Sequence, residues 1–220
     1  MKLRFLGPCF VILAVLLGTS NRVSAESGSK TEPDSPHARR PSTTYRAGIV
    51  TPPLPKPKFS LTDTSGAPFD FWQKTDGYVT LLFFGYTHCP SECPLHMANI
   101  ASGLKKIPAR FADQVKVVFV TTDPARDKPR VLRSWLNHFD KRFIGLTGSE
   151  IAIDAAQRIA GVPPASKIAL AREDYEVGHA SFVLAYTKDN LAHLIYPGGV
   201  TQNDWAHDLL NLVEEAWSPR

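Results

Sequence analysis

Cys89 and Cys93 stand four residues apart in Phe84-Gly85-Tyr86-Thr87-His88-Cys89-Pro90-Ser91-Glu92-Cys93-Pro94, where a buried apolar run hands over to a helix-compatible segment. At a helix N-terminus the unpaired backbone amides and the macrodipole favour negative charge, so a thiol there loses its proton more readily. The thiolate is the form that binds metal or attacks a disulfide. Residues four apart share one helix face, with Cβ atoms about 5–6 Å apart, so both sulfurs can reach one ion or, with local adjustment, each other. The third cysteine, Cys9, sits in an N-terminal segment that reads as an export signal. Once it is removed, the mature chain holds two cysteines in an oxidising compartment, where they form either a disulfide or a metal site. A purely structural disulfide would stabilise weakly, because closing so short a loop removes little chain entropy.

The elements that must position these thiols are legible from apolar periodicity. Tyr78 to Phe84 and Val115 to Val120 are nearly continuous apolar runs that suit strands buried on both faces. Between them, Pro90 to Lys106 carries prolines only at its start and predicts a helix, so the β-α-β order implies a right-handed crossover and a parallel strand pair. Ahead of them, Phe59 to Phe71 alternates about a Ser65-Gly66 turn and predicts a small hairpin. Val131, Leu132, Trp135, Leu136 and Phe139 recur at helical spacing after Asp127 and are assigned to core packing. Thr147-Gly148-Ser149-Glu150 has capping-box spacing for a further helix that ends near Gly161. Ser181 to Tyr186 and Leu191 to Tyr196, joined at Lys188-Asp189-Asn190, read as an antiparallel hairpin, and a last helix carries Trp205, Leu209, Leu212 and Val213 on one face. The order β-α-β-α-β-β-α predicts an α/β fold of thioredoxin-like type: a central mixed sheet flanked by helices, with an N-terminal hairpin and insertions.

Residues 1–25 have the layout of a signal peptide, with Lys2 and Arg4, an apolar run from Cys9 to Gly18, and Val23-Ser24-Ala25 as a small-residue cleavage site. The run is about half the roughly 20 residues a membrane span needs, which favours cleavage over retention as an anchor. Residues 26–58 are rich in Ser, Pro and Arg, lack an apolar period and read as a disordered or extended tether; the folded domain is expected over 59–217. The chain has 220 residues, 43% of them hydrophobic, enough for one domain with a full-sized core. Its net charge of +4 comes from scattered Lys and Arg, which argues against nucleic-acid binding.

The stretch around Cys89 resembles the SCO/SenC family's strand followed by G-Y-T-H-C-P-x-x-C-P, and three further segments match that family in order. These are Thr122-Asp123-Pro124-Ala125-Arg126-Asp127-Lys128-Pro129, Phe143-Ile144-Gly145-Leu146-Thr147-Gly148, and Tyr175-Glu176-Val177-Gly178-His179-Ala180-Ser181. The resemblance, spanning roughly residues 59–213, implies copper ligation by Cys89, Cys93 and His179. Two soft thiolates and an imidazole suit Cu(I), can accept Cu(II), and leave a shell incomplete enough for the ion to depart. A structural zinc site generally wants four closed ligands, and no fourth stands at matching spacing.

The resemblance further implies a metallochaperone that delivers copper to the dinuclear copper centre of cytochrome c oxidase. The alternative is a thiol-disulfide reductase that uses Cys89 and Cys93 as a redox-active pair on that centre's cysteines. Expected partners are the copper-centre subunit of the oxidase and a periplasmic copper donor. The expected location is exported, either periplasmic or tethered to the membrane and facing the periplasm. A thioredoxin-fold peroxidase fits poorly, since the motif at Cys89 lacks the Pro-x-x-x-Thr/Ser-x-x-Cys arrangement.

Other residues near the motifs receive plainer expectations. His88 adjoins the thiols and can tune them without ligating. Met97, next to His96, is read as core; His138, His193 and His207 are read as solvated, and His37 lies in the tether. Asp123 and Asp127 are read as a turn and helix cap with a local ion pair, in a loop bordering the strands' C-terminal ends. Family members often carry an acidic residue at the positions of Ser91 and Gly178; losing both lowers the local negative charge and slightly weakens the hold on a cation.

Overall fold

A computed structural model describes residues 45–170 and 174–215. The expected export signal, Cys9, His37 and the first part of the expected tether lie outside the described residues. In chain order the elements are β1 (Gly48–Pro55), β2 (Ser60–Asp63), β3 (Pro68–Asp70), α1 (Phe71–Thr75), β4 (Val79–Gly85) and α2 (Glu92–Lys106). Then come α3 (Ala109–Ala112), β5 (Val115–Thr121), α4 (Pro129–Asn137), β6 (Ile144–Thr147) and α5 (Glu150–Ile159). The last are β7 (Ser166–Ala169), β8 (Tyr175–Gly178), β9 (Val183–Tyr186), β10 (Leu191–Tyr196) and α6 (Gln202–Glu214). No helix among the described residues is long and apolar enough to cross a membrane.

Eight strands form one mixed sheet in the order β1-β10-β9-β4-β5-β6-β2-β3, while β7 and β8 pair separately. The two apolar runs occupy its centre, as their composition predicts: β4 is buried throughout and pairs in parallel with β5, from Val79 opposite Val115 to Gly85 opposite Thr121. Strand alternation divides the core in two. Val79, Leu81 and Phe83 pack with Met97, Ile100 and Leu104 of α2 and with Trp205, Leu209 and Leu212 of α6. Leu82 and Phe84 face the other way, with Val118, Val120, Leu146 and the Ile153 and Ala156 of α5.

Several expectations are corrected. The ordered domain begins before residue 59, because Gly48–Pro55 forms an edge strand antiparallel to β10. Prolines hid it: they donate no ladder hydrogen bond and so belong on an edge, and the pairing is irregular between Ile49 and Leu54, where Pro52 and Pro53 lie. Just ahead of β1, Arg46 donates its backbone N–H to Asp208 at 2.8 Å, and Tyr45 bonds Glu215 through its hydroxyl. The capping residue of α5 is Ser149, whose hydroxyl accepts from Ala152 N at 3.2 Å; Thr147 instead ends β6. Val131 is exposed, whereas Leu132 and Leu136 carry the buried face of α4. His193 is not solvated: its Nε2 pairs with Asp189 at 2.8 Å in a mostly covered setting. Strands β6, β7 and β8 were not expected, since four-residue strands carry too little periodicity to stand out. The β9–β10 turn matches its expectation, with Asn190 at a φ of 63°.

Helices α2 and α6 meet closely at Gly103, where an added Cβ would lie 2.6 Å from Trp205 Cβ and 3.2 Å from Ala206 N. Alanine there would gain about 0.5–1 kcal/mol of helix propensity, but overpacking a rigid helix contact costs about 1–3 kcal/mol, so the clash wins. Gly103→Ala is therefore expected to lower unfolding free energy in chemical denaturation. Ile151→Ala, at an 84% exposed site, should stay within about 0.5 kcal/mol of wild type.

Candidate metal centre

Strand β4 ends at Gly85, a position where nothing larger fits. A Cβ there would lie 2.9 Å from Cys93 Sγ and 2.8 Å from the Phe83 ring, so the bare backbone lets the sulfur rest against the strand end. The chain then turns through Tyr86 to Pro90, with Cys89 N donating to Tyr86 O at 3.3 Å. Helix α2 starts at Glu92 after Ser91, whose hydroxyl makes no capping bond. The cap is supplied by sulfur instead: Cys93 N donates to Cys89 Sγ at 3.4 Å. This satisfies one of the orphan amides of the first turn and places the sulfur at the positive end of the helix dipole.

His179 follows directly after β8, in the irregular segment before β9. Its Nδ1 lies 3.0 Å from Ala180 O. A carbonyl only accepts, so Nδ1 donates there and Nε2 is the ring nitrogen left to face the sulfurs. Nε2 sits 3.4 Å from Cys93 Sγ, and the ring stands edge-on to Phe83 and Tyr86, with centroids 5.9 and 5.6 Å away. Among the described residues, one ligand atom each from Cys89, Cys93 and His179 fall within 4.8 Å of one another. Both cysteines are free thiols, Cys89 partly exposed and Cys93 buried.

The two thiols are unequal acids. The Cys93 thiol donates to Cys89, and together with the backbone amides of Cys93 and Ser91 it brings the Cys89 thiol down to about 4, against the opposing effect of burial. The same hydrogen bond from the other side, reinforced by burial, pushes the Cys93 thiol strongly up. Near neutral pH the pair therefore holds one proton, on Cys93. Two sulfurs and an inward-facing imidazole nitrogen, open on the Cys89 side, form a soft three-donor set that suits monovalent copper better than a hard cation.

The loop 122–127 turns as expected but does not cap α4, whose N-cap is Lys128 with no side-chain capping bond; its buried carboxylates bind across the fold instead. Asp127, fully buried, accepts from Thr87 N at 2.9 Å, Thr87 Oγ1 at 2.5 Å and Thr121 Oγ1 at 2.7 Å, and thereby fastens the segment that carries Cys89 to the end of β5. Asp123, also fully buried, accepts from Tyr175 OH at 2.9 Å and forms the expected local ion pair with Arg126. Arg126 Nη1 in turn donates to Tyr175 O at 3.0 Å, so this loop also grips β8, the strand that leads to His179. Sequence reasoning assigned neither link; only the loop's place at the C-terminal ends of the central strands pointed to it.

The remaining candidates fall outside the cluster. His88 is exposed, with Nδ1 3.1 Å from Thr87 Oγ1 and 3.6 Å from Asp127 Oδ1. Met97 is fully buried in the core, as expected, and His96 is buried beside it. Desolvation lowers the His96 pKa, which keeps that ring neutral near pH 7. At Gly178, the space where a side chain would begin is bounded by Ile168 Cδ1 at 3.2 Å and Ser166 Oγ at 3.4 Å.

Alkylation by iodoacetamide, followed by mass spectrometry of each cysteine peptide, reads this asymmetry, because only thiolate reacts. Cys89 is expected to react at a nearly constant rate from pH 8 down to about 5 and to lose reactivity with a midpoint of about 4. Cys93 should remain protected across that range. A Cys89 midpoint near the ordinary thiol value of about 8.5 would contradict the hydrogen-bonding scheme.

Comparison with known proteins places this geometry in context. The SCO1/SenC family profile matches residues 51–214. A putative copper-binding protein of Stutzerimonas stutzeri is 33% identical over 126 residues, which cover 56% of this chain and 60% of that one. An SCO2-like protein of Rickettsia felis is 36% identical over 131 residues, with the same two coverages. The chain thus spans about three fifths of the length of these curated relatives. The copper-bound structure of ScoI from Bradyrhizobium japonicum is similar at a TM-score of 0.65 and 30% identity, covering 72% of this chain and 99% of that one. The fold is thioredoxin-like, and with its profile match running through nearly the whole described domain, the chain belongs to the SCO1/SenC family.

Proposed function

We propose that this protein is a copper metallochaperone that holds Cu(I) between Cys89 Sγ, Cys93 Sγ and His179 Nε2 and delivers it, after export, to the dinuclear copper centre of cytochrome c oxidase. The observation that carries the proposal is the convergence of those three donors within 4.8 Å, two from the β4–α2 junction and one from the residue after β8, 86 residues beyond Cys93. The copper-binding relative and the copper-bound ScoI structure support the choice of ion. Binding displaces the Cys93 proton, while Cys89 is already ionised. With three donors and one partly exposed sulfur, an acceptor thiolate can enter the shell before Cys89 leaves it, so copper passes between proteins without being released to water.

A thiol-disulfide reductase is the second reading, favoured by one observation: Cys89 is acidic and accessible while Cys93 is buried and protonated. In that reaction the Cys89 thiolate attacks one sulfur of the acceptor's disulfide, forming a mixed disulfide and expelling an acceptor thiolate. Cys93 then gives up its proton and attacks Cys89 Sγ, leaving a Cys89–Cys93 disulfide and a fully reduced acceptor. This route makes no use of the His179 lone pair.

Titration of the reduced protein with Cu(I) against a competing chelator separates the two. Cys89→Ser, Cys93→Ser and His179→Ala are each expected to weaken binding on the order of 100-fold or more, beyond the ~10–100-fold typical of outer contacts. Copper binding by His179→Ala at wild-type strength, with disulfide exchange intact, would exclude the chaperone mechanism in this form.

A further inference from the structure

The His179 ring is tied by its own Nδ1 only to the next residue's carbonyl, a contact that moves with the loop and does not fix it to the domain. Residues 179–182 belong to no strand or helix; the ring meets Phe83 and Tyr86 edge-on and β8 is gripped upstream at Tyr175, which leaves the backbone beyond His179 to be fixed from elsewhere. The buried ring of His96 is placed to do so. His96 lies on α2 three residues beyond Cys93, is only 3% exposed, and points Nε2 at Ser181 O, 3.3 Å away. Because a carbonyl only accepts, Nε2 carries the proton there. The ring also packs against Phe83, at 4.9 Å between centroids, and Phe83 is the same side chain whose ring meets His179.

We infer that His96 is a positioning residue for the metal centre: it donates to Ser181 O from the helix that carries Cys93 and so locks the His179 loop at a fixed distance from that sulfur. The inference rests on the ligand reading proposed above, but its structural half does not require metal. One helix thereby sets two of the three donors, one by bearing it and the other by holding its loop. Without the bond, Ser181 O would be one fewer fixed point and the imidazole would sample positions too far from Cys93 to share an ion.

Two variants separate hydrogen bonding from packing. His96→Phe fills the site without a donor; His96→Gln keeps an amide N–H able to reach the same carbonyl. In metal-free protein, hydrogen exchange of amides 179–183 should quicken by about tenfold or more in His96→Phe, with the central turns of α2 unchanged and the loop restored in His96→Gln. Cu(I) affinity should fall by about 10–100-fold in His96→Phe and return to within a few-fold of wild type in His96→Gln. Wild-type exchange and affinity in His96→Phe would overturn the inference. Equal weakening in both variants would also overturn it, by assigning the effect to packing. His179→Ala, measured alongside, distinguishes the two levels: if it binds copper normally, the ligand reading fails, while the metal-free exchange still decides the role of His96.

Discussion

A carboxylate with no exposure to water must be surrounded by donors, and Asp127 meets that demand with the Thr87 amide, the Thr87 hydroxyl and the Thr121 hydroxyl. Each hydrogen bond to a charged group is worth about 1.5–3 kcal/mol, so the segment between β4 and α2 cannot drift from the end of β5 without leaving a charge unpaired in the interior. Cys89 rides on that segment. Four residues earlier, Asp123 does the corresponding work for β8 through Tyr175 and Arg126. One short loop at the C-terminal end of the central strands thus holds the thiol side and the imidazole side of the site in a common frame, although residues 89 and 179 are far apart in the chain.

Within that frame, chemistry follows from where the sulfurs sit relative to the helix. The sulfur of Cys89 takes the place of a missing side-chain cap on α2, and the Cys93 thiol adds its own hydrogen bond, so negative charge is favoured on Cys89 and disfavoured on Cys93. The ionised sulfur is the more exposed one. Such a division serves an ion that must be captured from and surrendered to other proteins, and it equally serves stepwise thiol exchange. The histidine separates the two uses, since ligation needs its free Nε2 and exchange does not.

The central strands and long helices were legible because their apolar periods are long: β4, β5 from Val117 onward, and Trp205, Leu209, Leu212 and Val213 on α6 fall in the buried core. The cysteines were legible as chemistry from position as well as motif, whereas His179 rested on motif alone; nothing about an isolated loop histidine predicts that its Nε2 lies 3.4 Å from Cys93 Sγ. What escaped the sequence was set by tertiary pairing. The proline-rich strand β1 exists only because β10 offers an edge, and β7 and β8 are too short to register. The burial of Asp123, Asp127 and His96 depends on partners 40 to 85 residues away in the chain, which no local pattern records.

Where the family resemblance implies acidic residues beside the ligands, this chain carries Ser91 and Gly178. Ser91 here is exposed, and Gly178 is backed by Ile168 and Ser166, so neither position brings a negative charge to the site. Neither change touches the donors themselves, and the account stands on those. X-ray absorption at the copper edge of the Cu(I)-loaded, fully reduced protein tests it most directly: the account predicts a three-coordinate ion with two sulfur neighbours and one imidazole nitrogen, the nitrogen vanishing in His179→Ala. A two-coordinate, sulfur-only shell in the wild-type protein would contradict it.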